Sequence, residues 1–584
     1  MNQHAIYHIP DIPYAFAEDK NTLKVRLRCA TDDIRSAAVV FKDRYDWVTG
    51  GERVPMEILS KTELFTVYEA ALRLMRNRYR YYFEITDTSG NRVYYDERGY
   101  RTDDEAGYEY RAFQFPFIAP ADVYQGKTIL EKAVVYQIFP ERFCNGDPSN
   151  DPEGTLEWGG VPERLNAFGG DIRGITGKIP YLKELGVNLL YLTPIFLSKS
   201  NHKYNIRDYY QVDPQFGTLE DAREMVAACH HAGIKVLFDA VFNHTGDDFF
   251  AFADVLEKQA ESPYQDWYYL DEFPVDPEEC NYYTFANGIP AMPKLRTENP
   301  EVREYFFKVG QYWIREIGID GWRLDVCDEV DHKFWQGFKQ AIEAVDPAAV
   351  LVGEIMHEAS AFLKGSELDS IMNYPFKHAM TEFFARRIIG EAEFMDYLAA
   401  NRNIYMEKIT RQLWNLLDSH DTARFLTEAR GETVRLKLAM AFQFTYVGVP
   451  YIYYGDEVGI DGGHDPYSRR CMVWDEAAID SDLLKHTKQL IAFRLKTEAM
   501  TYGKFIEHTR GDGCIVFERS YEGEAYLCAF NNTDYQRVVP IPEGEYRDVT
   551  PSGLYLGASG PPIGLGEITL APMSYRILKG EVLL

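Results

Sequence analysis

Three features are scarce or missing in this chain, and each absence excludes a class of protein. No apolar run approaches the roughly 18 residues that span a bilayer, so we expect no membrane span. The start, MNQHAIYHIPDIPYAF, lacks a basic segment followed by an apolar one, so we expect no signal peptide. Eight cysteines are scattered over 584 residues without a CxxC pair, which favours free thiols in a reducing cytoplasm.

Positive charge is scarce as well. The chain has 62 Lys and Arg against 90 Asp and Glu, a formal net charge of −28. Such a field repels nucleic-acid phosphates and anionic lipid. We therefore expect neither nucleic acid nor a membrane as a partner, while a neutral substrate is compatible with the charge. Aromatic residues are abundant at 14%; most are expected in protein cores, and a minority can stack on sugars.

The first part of the chain has the pattern of an antiparallel β-sandwich. Residues 1–120 contain short runs such as LKVRLRCA and YRYYFEIT, in which apolar and polar positions alternate between turn signals such as TGG and TSGN. A stretch beginning FQFPFIAP is predicted to be the linker out of this domain.

The middle of the chain has the pattern of a closed (β/α)₈ barrel, also called a TIM barrel, over residues 121–244 and 298–502. Eight apolar runs alternate with helical patterns, as a parallel sheet buried on both faces requires. The runs are AVVYQIFP, VNLLYLTPI, IKVLFDAVFNH, IDGWRLDV, AVLVGEIM, LDSIMNY, QLWNLLDSHD and VPYIYYGDE. An irregular lobe, residues 245–297, is inserted after the third strand and is expected to cover one barrel end. Residues 503–584 return to alternating strands and predict a C-terminal antiparallel β domain.

Acidic residues follow several of the barrel strands at the end where such barrels carry their active sites. Strand three ends in Asp239, strand four in Arg323-Leu-Asp325, strand five in Glu354 and strand seven in His420-Asp421. A carboxylate pair of this kind suits glycosidic cleavage, because one group attacks the anomeric carbon while the other protonates the leaving oxygen. Adjacent strands can place Asp325 and Glu354 the roughly 5–5.5 Å apart that a retaining mechanism requires. A structural cluster of ion pairs is the alternative.

The electrostatics of this cluster can be predicted in part. Arg323 is expected to lower the pKa of Asp325 and keep it ionised for attack. Glu354 has to be protonated at neutral pH, so burial and like charges are expected to raise its pKa.

These residues lie in segments that resemble the α-amylase family of glycoside hydrolases. Four segments of the family occur in order: DAVFNH (239–244), GWRLDVCDEV (321–330), GEIMHEAS (353–360) and NLLDSHD (415–421). MPKLRT (292–297) resembles a fifth segment, typical of the neopullulanase, cyclomaltodextrinase and maltogenic amylase branch. Members of this branch also carry an N-terminal β-sandwich and a C-terminal β domain, so the resemblance covers essentially the whole chain.

The resemblance implies roles for individual residues. Asp325 would be the nucleophile, Glu354 the general acid/base and Asp421 a third carboxylate that binds the distorted sugar. The other substrate-binding candidates lie in or beside these segments, in SNHKYNIRDYY, in YYTFANG of the lobe and in GGHDPYSRR. They are His202, Tyr204, His244, Phe285, Arg323, Met356, His420, Asp465 and Arg469. For Tyr204 and Phe285, ordinary core packing is the alternative.

A structural Ca²⁺ is also implied. The loop RFCNGDPSNDPEG and the stretch FGGDI carry oxygen donors of the hard type that Ca²⁺ prefers. The candidate ligands are Asn145, Asp147, Asn150, Asp151, Gly169 and Asp171. A polar turn without metal is the alternative. No redox or organic cofactor is implied.

The expected activity is hydrolysis, with retention, of α-1,4-glucosidic bonds in cyclodextrins, maltooligosaccharides and pullulan, with some transglycosylation. A transferase or branching enzyme of the same superfamily would carry the same carboxylates, and a non-catalytic glycan-binding protein would be expected to lack one of them.

The sandwich resembles a starch-binding-like domain that mediates homodimers in this branch, and Tyr45 and Trp47 are candidate contributions to a partner's cleft. Three positions depart from the branch pattern: Cys327-Asp328, Met356 and Arg296. Met356 and Arg296 are expected to line leaving-group subsites, and Asp328 has no assigned role.

Overall fold

A computed structural model describes residues 1–47, 50–102, 111–551 and 566–581. The chain forms two compact units. The first comprises Met1–Gly126 together with Leu363–Gly365 and Ala392–Thr410, and the second comprises the remainder. The last two of those segments fall within the range that the sequence pattern assigns to the barrel.

The first unit is built on two antiparallel sheets, as predicted. One has the order β1-β2-β6-β5 and the other β4-β3-β7-β8-β9, with β10 paired to β7. Alternate residues such as Leu23, Val25 and Leu27 are fully buried, so each sheet turns one face to a shared core. The strands are β1 Ala15–Asp19, β2 Thr22–Ala30, β3 Ile34–Asp43, β4 Glu52–Pro55, β5 Glu57–Lys61, β6 Phe65–Arg73, β7 Tyr79–Asp87, β8 Arg92–Asp96, β9 Gly99–Arg101 and β10 Phe113–Phe115.

The second unit contains a closed barrel of eight parallel strands, and the fold prediction is confirmed. All eight apolar runs supply a barrel strand, in chain order. A separate hairpin follows the second barrel strand, formed by β13 Phe196–Ser198 and β14 Ile206–Val212. The barrel strands are β11 Val135–Ile138, β12 Leu189–Leu192, β15 Lys235–Ala240, β16 Gly321–Leu324, β17 Val350–Ile355, β18 Ser370–Asn373, β19 Trp414–Asn415 and β20 Val449–Tyr453.

Local signals in the sequence explain where the helices begin and end. Helix α5 starts at a capping box between Thr218 and Asp221 and ends at Gly233, which adopts the left-handed conformation. The helices are α1 Thr128–Glu131, α2 Pro140–Phe143, α3 Ile172–Gly177, α4 Ile179–Leu185, α5 Leu219–Ala232, α6 Phe250–Lys258, α7 Pro300–Glu316, α8 His332–Glu343, α9 Tyr374–Met380, α10 Glu391–Asn403, α11 Glu407–Thr410, α12 Phe425–Glu428, α13 Thr433–Thr445, α14 Ser481–Lys496 and α15 Glu498–Tyr502. None of the helices in the described part of the chain has the length and apolarity that a membrane span needs.

A C-terminal antiparallel sheet completes the second unit, as predicted. Its order is β21-β22-β23-β27-β25, beside a small β24-β26 pair. Phe517 and Phe530 contact Phe442 of α13, and Asn532 donates to the Phe383 carbonyl, so the sheet packs directly on barrel helices. The strands are β21 Lys504–Gly511, β22 Cys514–Tyr521, β23 Glu524–Asn531, β24 Arg537–Pro540, β25 Tyr546–Asp548, β26 Glu567–Leu570 and β27 Ser574–Glu581.

The eight cysteines are all free, in agreement with the sequence prediction. Cys229, Cys327 and Cys528 are fully buried and pack as small core residues.

Candidate active site

Strand register brings four charged side chains together at the carboxyl end of the barrel. Asp239 of β15 pairs with Arg323 of β16, and Leu324 pairs with Gly353 of β17. The next rung therefore places Asp325 beside Glu354 on strands about 4.8 Å apart. Arg323 and Asp325 are two residues apart and share a face. All four side chains are buried.

Arg323 is the centre of this cluster. Its Nη1 donates to Asp239 at 3.0 Å and to Asp325 Oδ1 at 2.9 Å. Its Nη2 lies 2.6 Å from Glu354 Oε1. One guanidinium thus bridges the predicted nucleophile and the predicted acid/base and fixes their separation.

The predicted effect of Arg323 on Asp325 needs correction. Arg323 does lower the pKa of Asp325, but burial and the neighbouring Glu354 outweigh it and raise that pKa well above its ordinary value. Burial also raises the pKa of Glu354, as expected, together with the charges of Asp421 and Asp239. Three buried carboxylates share one guanidinium, so the free cluster favours retaining a proton.

Two contacts to Glu354 were not predicted. Val326 adopts the left-handed conformation, with φ 42° and ψ 43°, and its N–H donates to Glu354 Oε2 at 3.1 Å. Such a backbone is strained for a β-branched residue. Cys327 Sγ contacts the Glu354 carbonyl oxygen at 3.4 Å. Neither contact has a sequence signal, because both depend on backbone conformation just after the strand.

A second group of charges surrounds Asp421. Arg469 Nη2 lies 3.1 Å from Asp421 Oδ1, and Arg469 Nη1 lies 2.9 Å from Asp465 Oδ1. Arg469 Nε also donates to the His420 carbonyl at 2.9 Å. Asp421 is about 30% exposed, whereas Asp325 and Glu354 are nearly closed off. This group forms an open, hydrogen-bonding wall in which Arg469 contacts both Asp421 and Asp465, as the sequence analysis grouped them.

His420 is a neutral histidine in a defined tautomer. Burial and nearby cations lower its pKa well below the ordinary value. Gln137 Nε2 donates to its Nδ1 at 2.7 Å, so the ring proton lies on Nε2. That Nε2 is 2.7 Å from the Tyr204 hydroxyl and 3.1 Å from Asp421 Oδ2. Gln137 was missed, although a lone polar residue in an apolar barrel strand was a usable signal.

Tyr204 is held by its hydroxyl as well as by its ring. The hydroxyl donates to Asp239 Oδ2 at 3.0 Å, and the ring lies parallel to His420 with centroids 5.6 Å apart. The His202 ring also stacks on Tyr204, with centroids 5.8 Å apart, and burial lowers the pKa of His202 to about 3. These predicted residues therefore form one continuous surface. Tyr191 also reaches Asp239 Oδ2, at 2.6 Å, and was missed by the sequence analysis.

His244 and Phe285 lie together at the end of β15. The two rings are 5.2 Å apart. His244 Nε2 contacts the Tyr204 carbonyl at 3.1 Å and its Nδ1 contacts Asn243 at 3.3 Å. Burial lowers the pKa of His244 to about 3, so the ring is neutral. The inserted lobe thereby brings Phe285 to the cleft.

The structure shows where the three departures from the branch pattern lie. Met356 is 48% exposed directly after β17. Asp328 Oδ2 lies 2.9 Å from His357 Nε2, which places this pair between the strand-four and strand-five ends. Arg296 lies over the ring of Tyr269, 5.1 Å from its centroid.

The proposed calcium loop contains oxygens that a cation could use. Asn145 Oδ1 and Asn150 Oδ1 are buried and accept no hydrogen bond from any described residue. Gly169 has φ +81°, and a Cβ there would lie 2.2 Å from Asp151 Oδ1. Only glycine therefore allows this close approach. Asn145, Asn150, Asp151 and the Gly169 carbonyl fit Ca²⁺.

The other two predicted ligands have further partners. Asp171 accepts the N–H groups of Gly146 at 3.1 Å and Asp147 at 2.7 Å. The Asp147 carboxylate lies 2.6 Å from Arg173 Nη1. These two side chains brace the loop. No group of three or more His, Cys, Asp or Glu in the described chain is arranged to bind a metal, so a site here needs amide and carbonyl oxygens beside Asp151.

Comparison with known proteins identifies the family. Residues 137–503 match the family described as "Alpha amylase, catalytic domain", and residues 1–119 match "Alpha amylase, N-terminal ig-like domain". The chain belongs to the α-amylase family of glycoside hydrolases. The assignment made from the five sequence segments is therefore confirmed.

Individual relatives match along most or all of the chain. A cyclomaltodextrinase of Thermoanaerobacter pseudethanolicus is 45% identical over 99% of this chain and 100% of its own. Neopullulanase 2 of Thermoactinomyces vulgaris is 45% identical over 85% of each chain. A solved cyclomaltodextrinase structure superposes with a TM-score of 0.93 at 38% identity and covers 100% of both chains.

Proposed function

We propose that this glycoside hydrolase cleaves α-1,4-glucosidic bonds of cyclodextrins and maltooligosaccharides with retention of configuration, with pullulan as a further substrate. The names of the relatives support the substrate class. The observation that carries the mechanism is Arg323, which contacts Asp325 at 2.9 Å and Glu354 at 2.6 Å. Adjacent strands and a shared guanidinium support the short carboxylate separation of a retaining enzyme.

In the first step Asp325 attacks the anomeric carbon while Glu354 gives its proton to the leaving oxygen. A β-glycosyl ester forms on Asp325, the glycosidic C–O bond breaks, and the protonated oxygen leaves as a hydroxyl of the neighbouring sugar. The proton retained by the buried cluster is the one that Glu354 donates. Arg323 stabilises the ionised Asp325, and the Val326 N–H orients Glu354.

In the second step Glu354, now ionised, accepts a proton from water while the water oxygen attacks the anomeric carbon, which breaks the bond to Asp325 and releases its carboxylate. A sugar hydroxyl in place of water gives transglycosylation. Asp421, Arg469 and neutral His420 form the wall that binds hydroxyls of the distorted sugar, and Tyr204 offers a ring beside it.

A Ca²⁺ ion would be held by Asn145, Asn150, Asp151 and the Gly169 carbonyl, with Asp147 and Asp171 fixing the loop. Its contribution would be structural, linking residues 145–151 to residues 169–171 ahead of helix α3. It takes no part in bond cleavage.

A comparison of rates on β-cyclodextrin, pullulan and soluble starch, with products identified by chromatography, tests the substrate assignment. Preference for cyclodextrin, with maltose, glucose or panose among the products, supports it. Preference for starch, or formation of new α-1,6 branches, contradicts it and favours a transferase or a different branch of the family.

We also propose that the active form is a cytoplasmic homodimer. Tyr45 and Trp47 support this, since both are nearly 60% exposed, and Arg80 lies over Trp47 at 4.5 Å. Arg80 itself is buried, whereas exposed aromatic side chains such as these two are enriched at interfaces. Eight free thiols suit a reducing compartment. Sedimentation should show a dimer that Trp47→Ala weakens; a monomer that still prefers cyclodextrin contradicts the proposal.

A further inference from the structure

The outer face of the inserted lobe continues away from the active site as an aromatic strip. Tyr283 and Phe285 are two residues apart on one extended segment and share a face. On the neighbouring segments, the Tyr283 N–H donates to the Tyr269 carbonyl and the Lys294 N–H donates to the Tyr283 carbonyl, both at 2.9 Å. The strip therefore consists of Phe285, Tyr283, Tyr269, Lys294 and Arg296.

The two faces of this ladder differ in kind. Tyr282, Thr284 and Leu295 alternate with the strip residues and are buried beneath it, where Tyr282 packs on Phe252. Tyr283 is 56% exposed and stacks on Tyr269, with centroids 5.6 Å apart and planes 28° apart. The core of the lobe is formed by the buried residues on the opposite face, so core packing does not explain why Tyr283 and Tyr269 are aromatic.

The strip starts at the cleavage site. Phe285 contacts the His244 ring at 5.2 Å. Lys294 Nζ lies 2.9 Å from Glu329, four residues after Asp325. Beside Glu329, Asp328 pairs with His357, three residues after Glu354. The strip therefore lies beside the segments that follow β15, β16 and β17, on the side where Glu354 would protonate the leaving group.

We propose that Tyr283 and Tyr269, with Arg296 over the second ring, form an outer subsite for the leaving-group end of a linear α-glucan. The inference rests on the proposed function. Glucose units present an apolar C–H face that an exposed ring can cover, and the Arg296 guanidinium fixes the Tyr269 ring from one side. In this proposal a glucan that extends past Phe285 covers the pair, and a trisaccharide is expected to gain less from it.

The first test measures binding without turnover. In an Asp325→Asn background, titration calorimetry compares maltoheptaose and maltotriose. Adding Tyr283→Ala should weaken maltoheptaose binding by about 3- to 10-fold, the range of a stacked aromatic contact, and reduce the preference for maltoheptaose over maltotriose. Tyr283→Phe keeps the ring and should restore most of that preference. An equal loss for both sugars, or no loss for either, overturns the proposal.

The second test measures turnover in the full-length enzyme. The ratio of kcat/KM for maltoheptaose to that for maltotriose should fall by about 3- to 10-fold in Tyr283→Ala, through KM. Tyr535→Ala is the matched control, because Tyr535 is also exposed and has Arg537 over its ring at 5.8 Å; its ratio should not change. Absence of hydrolysis in the parent enzyme would contradict the proposed function and leave the binding test to decide the subsite.

Discussion

At the scale of the residue, the strongest prediction concerns Asp325. Asp325→Asn removes the nucleophile but keeps the size of the side chain, so kcat on cyclodextrin should fall by about 10³-fold or more. Asp328→Asn is the control, since Asp328 is three residues away and pairs with His357 instead of Arg323. A similar fall in both variants would show that general disturbance of the loop, and not loss of the nucleophile, causes the effect.

Glu354→Gln tests the proton donor. The buried Glu354 has a raised pKa, so its protonated form persists to higher pH, and the rate should fall as pH rises through that pKa. Glu354→Gln should lower kcat on maltooligosaccharides by about 10²- to 10⁴-fold. Substrates with an acidic phenol as leaving group need little protonation and should lose much less in their first step. An unchanged alkaline limb in the pH profile of the variant would exclude Glu354 as the acid.

The clustering of the candidate catalytic residues was predictable, because strand-end position and residue type both point to one site. The sequence could not show whether the pKa of Asp325 is raised or lowered. Arg323 lowers it and two neighbouring acids raise it, and burial makes the net shift upward. Nor could it show that the Val326 N–H reaches Glu354, which requires a left-handed backbone at a β-branched residue. Contacts made by backbone groups leave little trace in side-chain patterns.

At the scale of the element, Gly321 controls how β16 begins. It has φ +149°, and a Cβ there would lie 2.1 Å from the Val350 carbonyl of β17. Gly321→Ala should lower the free energy of unfolding by about 2–4 kcal/mol and lower kcat, because Arg323 follows two residues later. Thermal unfolding and kinetics measure both effects.

Gly233→Ala is the control for this prediction. Gly233 also has positive φ, at +83°, but a Cβ added there would meet no other atom within 4 Å. The substitution should cost about 1 kcal/mol and leave kcat unchanged. Equal destabilisation in the two variants would show that backbone strain alone matters and that the contact with β17 does not.

Strands were easier to predict than the segments between them. Each barrel run became a strand because short, near-continuous apolar runs suit a parallel sheet that is buried on both faces. The predicted linker, in contrast, begins with β10, which pairs with β7. The lobe predicted as irregular contains helix α6. Such details depend on tertiary partners.

At the scale of the whole molecule, calcium should affect stability and not chemistry. Removal with a chelator should lower Tm, since a ligand present at 100 times its Kd stabilises by about 2.7 kcal/mol. Addition of Ca²⁺ should restore Tm, while kcat at 25 °C stays the same. Asn145→Ala should abolish the calcium dependence of Tm; a dependence that survives would place any calcium site elsewhere.

The account of the whole enzyme depends most on retention of configuration through Asp325. Proton NMR of the products in the first minutes of maltooligosaccharide hydrolysis, before mutarotation, distinguishes the two outcomes directly. The double displacement predicts that the new reducing end appears as the α-anomer and later equilibrates. Initial appearance of the β-anomer would mean a single displacement by water, and Asp325 could not be the nucleophile.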